Sequence, residues 1–101
     1  MSPKKVWTDD KFNLYVEFKD GKIKKINIKT FLASDNADSK KVKSDLNVFK
    51  KVFLEDGYAI SWPNLNVSLD PESIYEEGEN ATKEQSAAKY REKVNKHYKK
   101  G

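Results

Sequence analysis

FNLYVEFKDGKIKKINI, residues 12–28, is the stretch from which the fold follows. Phe12, Leu14, Val16 and Phe18 alternate strictly with Asn13, Tyr15 and Glu17. Successive side chains leave a pleated strand on opposite sides, so this pattern predicts a strand buried on one face. Asp20-Gly21 then interrupts the run, and that pair readily adopts the positive φ of a type I′ hairpin turn. Ile23, Ile26 and Ile28 resume the alternation with one slip at Lys24-Lys25, where a bulge or a change of face is expected. The stretch therefore predicts a β-hairpin. Upstream, KKVWT predicts a short strand pairing with it.

Downstream the periodicity changes. Lys29 to Leu32 has room for one helical turn, and Ala33 to Lys41 reads as a polar loop. Leu46 and Phe49, followed by Val52 or Phe53, fall at helical spacing behind Ser44-Asp45 as a cap, which predicts a short helix running into a strand. Glu55-Asp56-Gly57 turns the chain. In YAISW, Tyr58, Ile60 and Trp62 are expected on one face, and Pro63 stops the strand because it has no N–H for a ladder. Asp70 is a good N-cap, Pro71 fits the first helical position, Ile74 and Tyr75 give the short helix an apolar side, and Gly78 is placed to end it.

The chain has 101 residues, enough for one small core. Apolar residues are 37% and charged residues 36%, so part of the chain is expected outside that core. There is no cysteine, which excludes disulfides and thiolate metal sites. The N-terminus lacks the apolar region of a secretory signal, and no window resembles a membrane span, so a cytoplasmic protein is the default expectation.

Charge divides the chain in two. Residues 1–78 carry 13 basic and 13 acidic residues, whereas residues 79–101 carry seven basic against three acidic, which is the whole excess of +4. The electrically balanced body argues against a broad nucleic-acid-binding face there. In the tail, Thr82-Lys83-Glu84-Gln85 fits a capping box, and Ala87, Tyr90, Val94 and Tyr98 form a thin apolar stripe at helical spacing. The expectation is thus an α+β domain over residues 1–78, with one small antiparallel sheet of four or five strands and short helices on one face. A basic C-terminal helical tail follows over residues 79–101. Phe12, Leu14, Val16, Phe18, Ile26, Ile28, Leu46, Phe49, Ile60 and Trp62 are expected to form most of the core.

VEFKDGKIKKINI, LNVFKKVFLEDGYAISWPN and LDPESIY, taken in order, resemble the bacterial domain-of-unknown-function family 2442 over about residues 4–77. The matching positions are Phe18, Asp20 and Gly21; Phe49; Trp62 and Pro63; and Pro71, Glu72 and Tyr75. Family members often carry a glycine soon after the Trp-Pro pair, whereas NLNVSLD has none. The resemblance implies a small α+β domain with no established activity and no catalytic residues. It also implies a binding role, because some relatives look like the partner of a small toxin-like protein and others are fused to a helix-turn-helix.

Catalytic chemistry finds little to use. A nucleophilic triad needs a base, and the single histidine, His97, reads as a surface residue of the tail. No glycine-rich phosphate loop is present. Glu76, Glu77 and Glu79 cluster, as solvated charge runs at helix ends commonly do. No cofactor and no metal is expected. Tyr15, opposite the apolar face, is the best candidate for stacking on a base, while Trp7 and Trp62 are expected to fill the core. The leading functional expectation is a non-enzymatic protein-interaction module, with the antitoxin-like half of a pair as its specific form. Tyr90, Arg91, Val94 and Tyr98 are then the partner-binding residues, and a second copy of the chain is one form the partner can take. The alternative is a nucleic-acid-binding accessory or regulator acting through Lys89, Arg91, Lys93 and Lys96.

Overall fold

The computed structural model describes residues 1–83. Strand β1 (Pro3–Thr8) precedes the hairpin, whose arms are β2 (Asn13–Phe18) and β3 (Ile23–Asn27). Three helices follow: α1 (Ile28–Phe31), α2 (Ala37–Ser44) and α3 (Leu46–Phe49). Then come β4 (Phe53–Glu55), β5 (Ala59–Ser61), β6 (Ser68–Leu69), α4 (Pro71–Glu77) and β7 (Glu79–Ala81). Within the described residues the strands make two antiparallel sheets, one of four strands in the order β1-β2-β3-β7 and one of three in the order β4-β5-β6.

The four-stranded sheet with short helices agrees with the sequence reading. The second sheet corrects it: YAISW does not join the hairpin but pairs with its own neighbours. Alternation tells which way a side chain points and not which strand lies beside it. The open edge of β3 is taken instead by β7, just beyond Gly78.

One core fills the space between the sheets and helices. Leu14, Val16, Phe18 and Ile26 line the inner side of the large sheet; Ile28, Val42, Phe49, Ile60, Trp62, Val67, Leu69 and Ile74 meet them from the helices, the small sheet and the loop before it. The expected core residues are all there, with Phe12 and Leu46 packed at its margin. Trp62 is 2% exposed, and its indole N–H donates to the Phe49 carbonyl at 2.9 Å.

Several local expectations are corrected. The hairpin turn has positive φ only at Gly21 (+92°), and the Gly21 amide donates to the Phe18 carbonyl, so the loop spans three residues rather than two. Two successive positive φ values occur instead at Asp56 (54°) and Gly57 (71°). The expected polar loop holds α2: Asn36 caps it by accepting from the Ser39 amide, Asp38 lies in its first turn, Lys41 and Lys43 in its last, and Val42 alone anchors it to the core. Tyr58 falls in the turn and is 41% exposed, so it does not share the inward face of Ile60 and Trp62.

Gly78 ends α4, but with φ −72° rather than in the left-handed region. Space explains it: a methyl group there would meet Ile74, Lys24 and Lys25. After Pro63, Asn64 takes the left-handed conformation (φ 61°), a duty that asparagine performs better than most residues and that supplies the turn without a glycine. Phe12 also has positive φ (66°), which is uncommon for a bulky residue. It is held by packing on Phe49 (centroids 5.4 Å apart) and by the Ile28 amide, which donates to its carbonyl.

Candidate interaction face

The family-like motifs are contacts of the scaffold. The Tyr75 hydroxyl donates to Asp20 Oδ2 at 2.5 Å, joining α4 to the hairpin turn. The Tyr75 ring meets Phe18 edge-on at 4.9 Å, with Lys22 and Lys24 above it at 5.4 and 5.8 Å. The hydrogen bond from Tyr75 is the main reason that Asp20 lies below the ordinary carboxylate range, and its counterpart raises Tyr75. Phe49 and Trp62 stack at 6.4 Å besides sharing their hydrogen bond, Pro71 is fully buried, and Glu72 pairs with the N-terminal amine. These residues hold elements together and leave no reactive group over.

The side of the four-stranded sheet turned away from the core is different. The pairing register lays its side chains in rows across the strands. One row runs Trp7, Tyr15, Lys25, Glu79; the next runs Lys5, Glu17, Ile23, Ala81. A sheet face left to solvent is ordinarily polar and open. Here Tyr15 and Ile23 are each 6% exposed and Glu17 is 4% exposed. The expectations of an open Tyr15 as a base-stacking platform and of Trp7 in the core are both corrected. Trp7 lies half-buried and parallel to Tyr15, centroids 5.8 Å apart and planes 6° from parallel. KKVWT offers one large apolar residue to each face, and the register with β2 sends Val6 inward opposite Val16 and Trp7 outward opposite Tyr15.

A tightly bonded turn supports the stack. Asp9 accepts from the amides of Lys11 and Asn13, from the Asn13 side chain and from the Tyr15 hydroxyl at 3.1 Å. Burial pushes the Asp9 carboxyl up, but these donors outweigh it and hold it below the usual value. Burial, with the adjoining Asp9 charge and hydrogen bond, pushes the Tyr15 hydroxyl up to about 12. Asn13 continues the network by accepting from Asn27 Nδ2 at 3.0 Å.

Glu17 is the unusual residue. Its Oε2 has Lys83 at 3.5 Å and Lys4 at 4.0 Å, while its buried Oε1 has no hydrogen-bond partner among the described residues. A buried polar atom in that condition ordinarily costs about 1–3 kcal/mol. At the far end of the first row, Lys25 reaches Glu79 at 3.8 Å, beside a cleft of about 280 Å³ between Asn13, Asn27, Thr30, Phe31 and Glu79. No three His, Cys, Asp or Glu residues come together as a metal site among the described residues. None of the described helices is long and apolar enough to cross a membrane.

Tyr90, Arg91, Val94 and Tyr98, the residues assigned to a partner, lie outside the described residues, as do Lys89, Lys93, Lys96 and His97. Sequence reasoning missed Asp9 and Glu17. The alternation of β2 did place Glu17 and Tyr15 on one face, but the burial of that face has no signature in a single strand.

The profile of one family, described as "Protein of unknown function (DUF2442)", matches residues 3–80, in agreement with the resemblance carried by the motifs. No curated protein and no solved structure matches the chain.

Proposed function

We propose that this chain, which belongs to the DUF2442 family, is a non-enzymatic protein-interaction module that binds its partner through the outer face of the four-stranded sheet and the basic segment that follows it. The carrying observation is that outer face: an aromatic stack, a withdrawn isoleucine and a buried carboxylate with one oxygen lacking a hydrogen-bond partner among the described residues. Residues that would perform chemistry do not gather there, whereas residues that would receive another chain do. The specific form we favour is the cytoplasmic antitoxin-like half of a bacterial pair, in keeping with what the family resemblance implies.

The test is recovery of the tagged full-length protein from its native host, with native mass spectrometry of the co-eluting species. A single partner in fixed stoichiometry, lost in a Trp7→Asp variant that keeps its circular dichroism, supports the reading. A protein that elutes alone at every salt concentration overturns it. If that co-eluting protein arrests growth when expressed by itself, the antitoxin-like form is supported; if it does not, that form falls while the binding role stands.

A second reading rests on the charge distribution: residues 1–83 hold 14 basic and 14 acidic residues, so the net +4 belongs to residues 84–101. A mobility-shift titration at low salt, comparing the full chain with one ending at Lys83, addresses contact with nucleic acid. Ending the shorter chain at Lys83 keeps β7 in place. No shift by the full chain removes this reading.

A further inference from the structure

We propose that Asp56-Gly57, in the turn between β4 and β5, is a modification site at which the folded chain converts aspartate to isoaspartate, and that the fold protects the other Asp-Gly pair, Asp20-Gly21.

An aspartate followed by glycine is open to attack by its own backbone. The glycine amide nitrogen approaches the side-chain carboxyl carbon, and glycine has no side chain to obstruct it. A C–N bond forms, a carboxyl C–O bond breaks, and the hydroxyl leaves as water with the amide proton. The product is a succinimide ring. Water then adds to one of its two carbonyls. Opening at the side-chain carbonyl returns aspartate. Opening at the main-chain carbonyl breaks the original peptide link and leaves the chain running through the side-chain carbon, one atom longer, with the main-chain carboxylate free. Water is the only co-reactant, and nothing is oxidised or reduced. The sequence holds these two Asp-Gly pairs and no Asn-Gly pair, so each site serves as the control for the other.

Exposure does not separate them. All four residues are exposed, and a methyl group on either glycine would meet nothing within 4 Å. Hydrogen bonding does separate them. At the first pair the attacking nitrogen is engaged, because the Gly21 amide donates to the Phe18 carbonyl at 2.9 Å. The Asp20 carboxylate is held at both oxygens, Oδ1 by the Lys22 amide at 3.0 Å and Oδ2 by the Tyr75 hydroxyl. Those bonds also keep it below the ordinary carboxylate range, so less of it is in the acid form that loses water. At the second pair neither the Asp56 carboxylate nor the Gly57 amide has a hydrogen-bond partner among the described residues. The turn is closed by the residues on either side, the Tyr58 amide donating to the Glu55 carbonyl at 3.0 Å.

The pairs Glu55–Ala59, Leu54–Ile60 and Phe53–Ser61 run outward from this turn. An extra backbone atom disturbs its closure first. Conversion is therefore expected to loosen the end of the small sheet beside the exposed Tyr58 while the fully buried Ile60 keeps its place.

The full-length protein is held folded in mildly acidic buffer below its melting transition, with a parallel sample in urea. Peptide mapping with electron-transfer fragmentation distinguishes isoaspartate from aspartate of equal mass. In the folded sample isoaspartate at residue 56 should exceed that at residue 20 several-fold. In urea the ratio should fall toward parity, because the bonds that shield Asp20 are gone. Tyr75→Phe should raise conversion at residue 20 in the folded protein. Asp56→Glu, whose longer side chain cannot close the same ring, should remove the product at residue 56 and leave residue 20 unchanged. Equal conversion at the two sites in the folded protein, a ratio that urea leaves unaltered, or a folded protein in which residue 56 stays unconverted would each overturn the proposal.

Discussion

Replacing Gly78 by alanine tests how tightly α4 and β7 are fitted to β3. A methyl group on Gly78 would lie 2.7 Å from the Ile74 carbonyl oxygen, 3.1 Å from Lys24 Cβ and 3.3 Å from the Lys25 carbonyl oxygen. The two oxygens belong to backbone on opposite sides, α4 and β3, so no rotamer change makes room. The φ of −72° is comfortable for alanine, and in open space the exchange would stabilise the fold by about 0.4–1 kcal/mol through the unfolded chain. Overpacking of this kind typically costs about 1–3 kcal/mol. The net expectation is a loss of about 1–2 kcal/mol, which for a domain of this size lowers Tm by about 5–10 °C. Urea unfolding followed by the fluorescence of the buried Trp62 measures it. Hydrogen exchange should locate it, with Ile23–Lys25 amides losing protection while the β1–β2 ladder is unchanged. An alanine variant as stable as the parent, or more so, would refute the close approach of α4 to β3.

Other perturbations probe the same contacts. Trp62→Ala should cost about 3–5 kcal/mol, read by chemical denaturation, because it removes a core ring and its hydrogen bond to the Phe49 carbonyl; a folded variant of near-parental stability would contradict its place in the core. Tyr15 titrates near 12 in the fold against 10 when free, so its contribution is complete below pH 10 and is lost as pH rises toward 12. Parent minus Tyr15→Phe stability should fall across that window, and a flat difference would count against the Asp9 contact. Asp9 is held below its ordinary value, so its contribution is present above about pH 4 and disappears as the solution is acidified further; Asp9→Asn should remove that acid-side slope in pH-dependent unfolding. Tyr75→Phe should lower stability in chemical denaturation, and a double-mutant cycle with Asp20→Asn should show that the two losses are not additive.

How much of this was legible depended on which physical rule governed each residue. Alternation in Phe12–Phe18 marked β2 and its inward face, because burial of one side leaves a direct mark on composition, and Ile23–Ile28 marked β3, although Ile23 lies on the outer side and Ile26 on the inner. Asp70 and Pro71 announced α4 by capping chemistry alone. The features that escaped were pairwise. The partition into two sheets, the register that turns Trp7 outward and the narrow gap at Gly78 each depend on two distant segments meeting. Helix α2 escaped for another reason: ADSKKVKS has a single core residue, so its helicity rests on the Asn36 cap and on charge placement rather than on a stripe. The tail residues assigned to a partner lie beyond Lys83, and the proposed face exists only where β1, β2, β3 and β7 are set side by side.

The motifs that carry the family resemblance touch one another: Asp20 and Phe18 meet Tyr75, and Phe49 meets Trp62. Such a signature is a contact map written in one dimension. Trp7, Glu17 and Lys25 stand outside that closed set. A change at one of the motif contacts therefore reads out in stability, whereas a change at Trp7, Glu17 or Lys25 can alter what the outer sheet face meets while the fold stays the same.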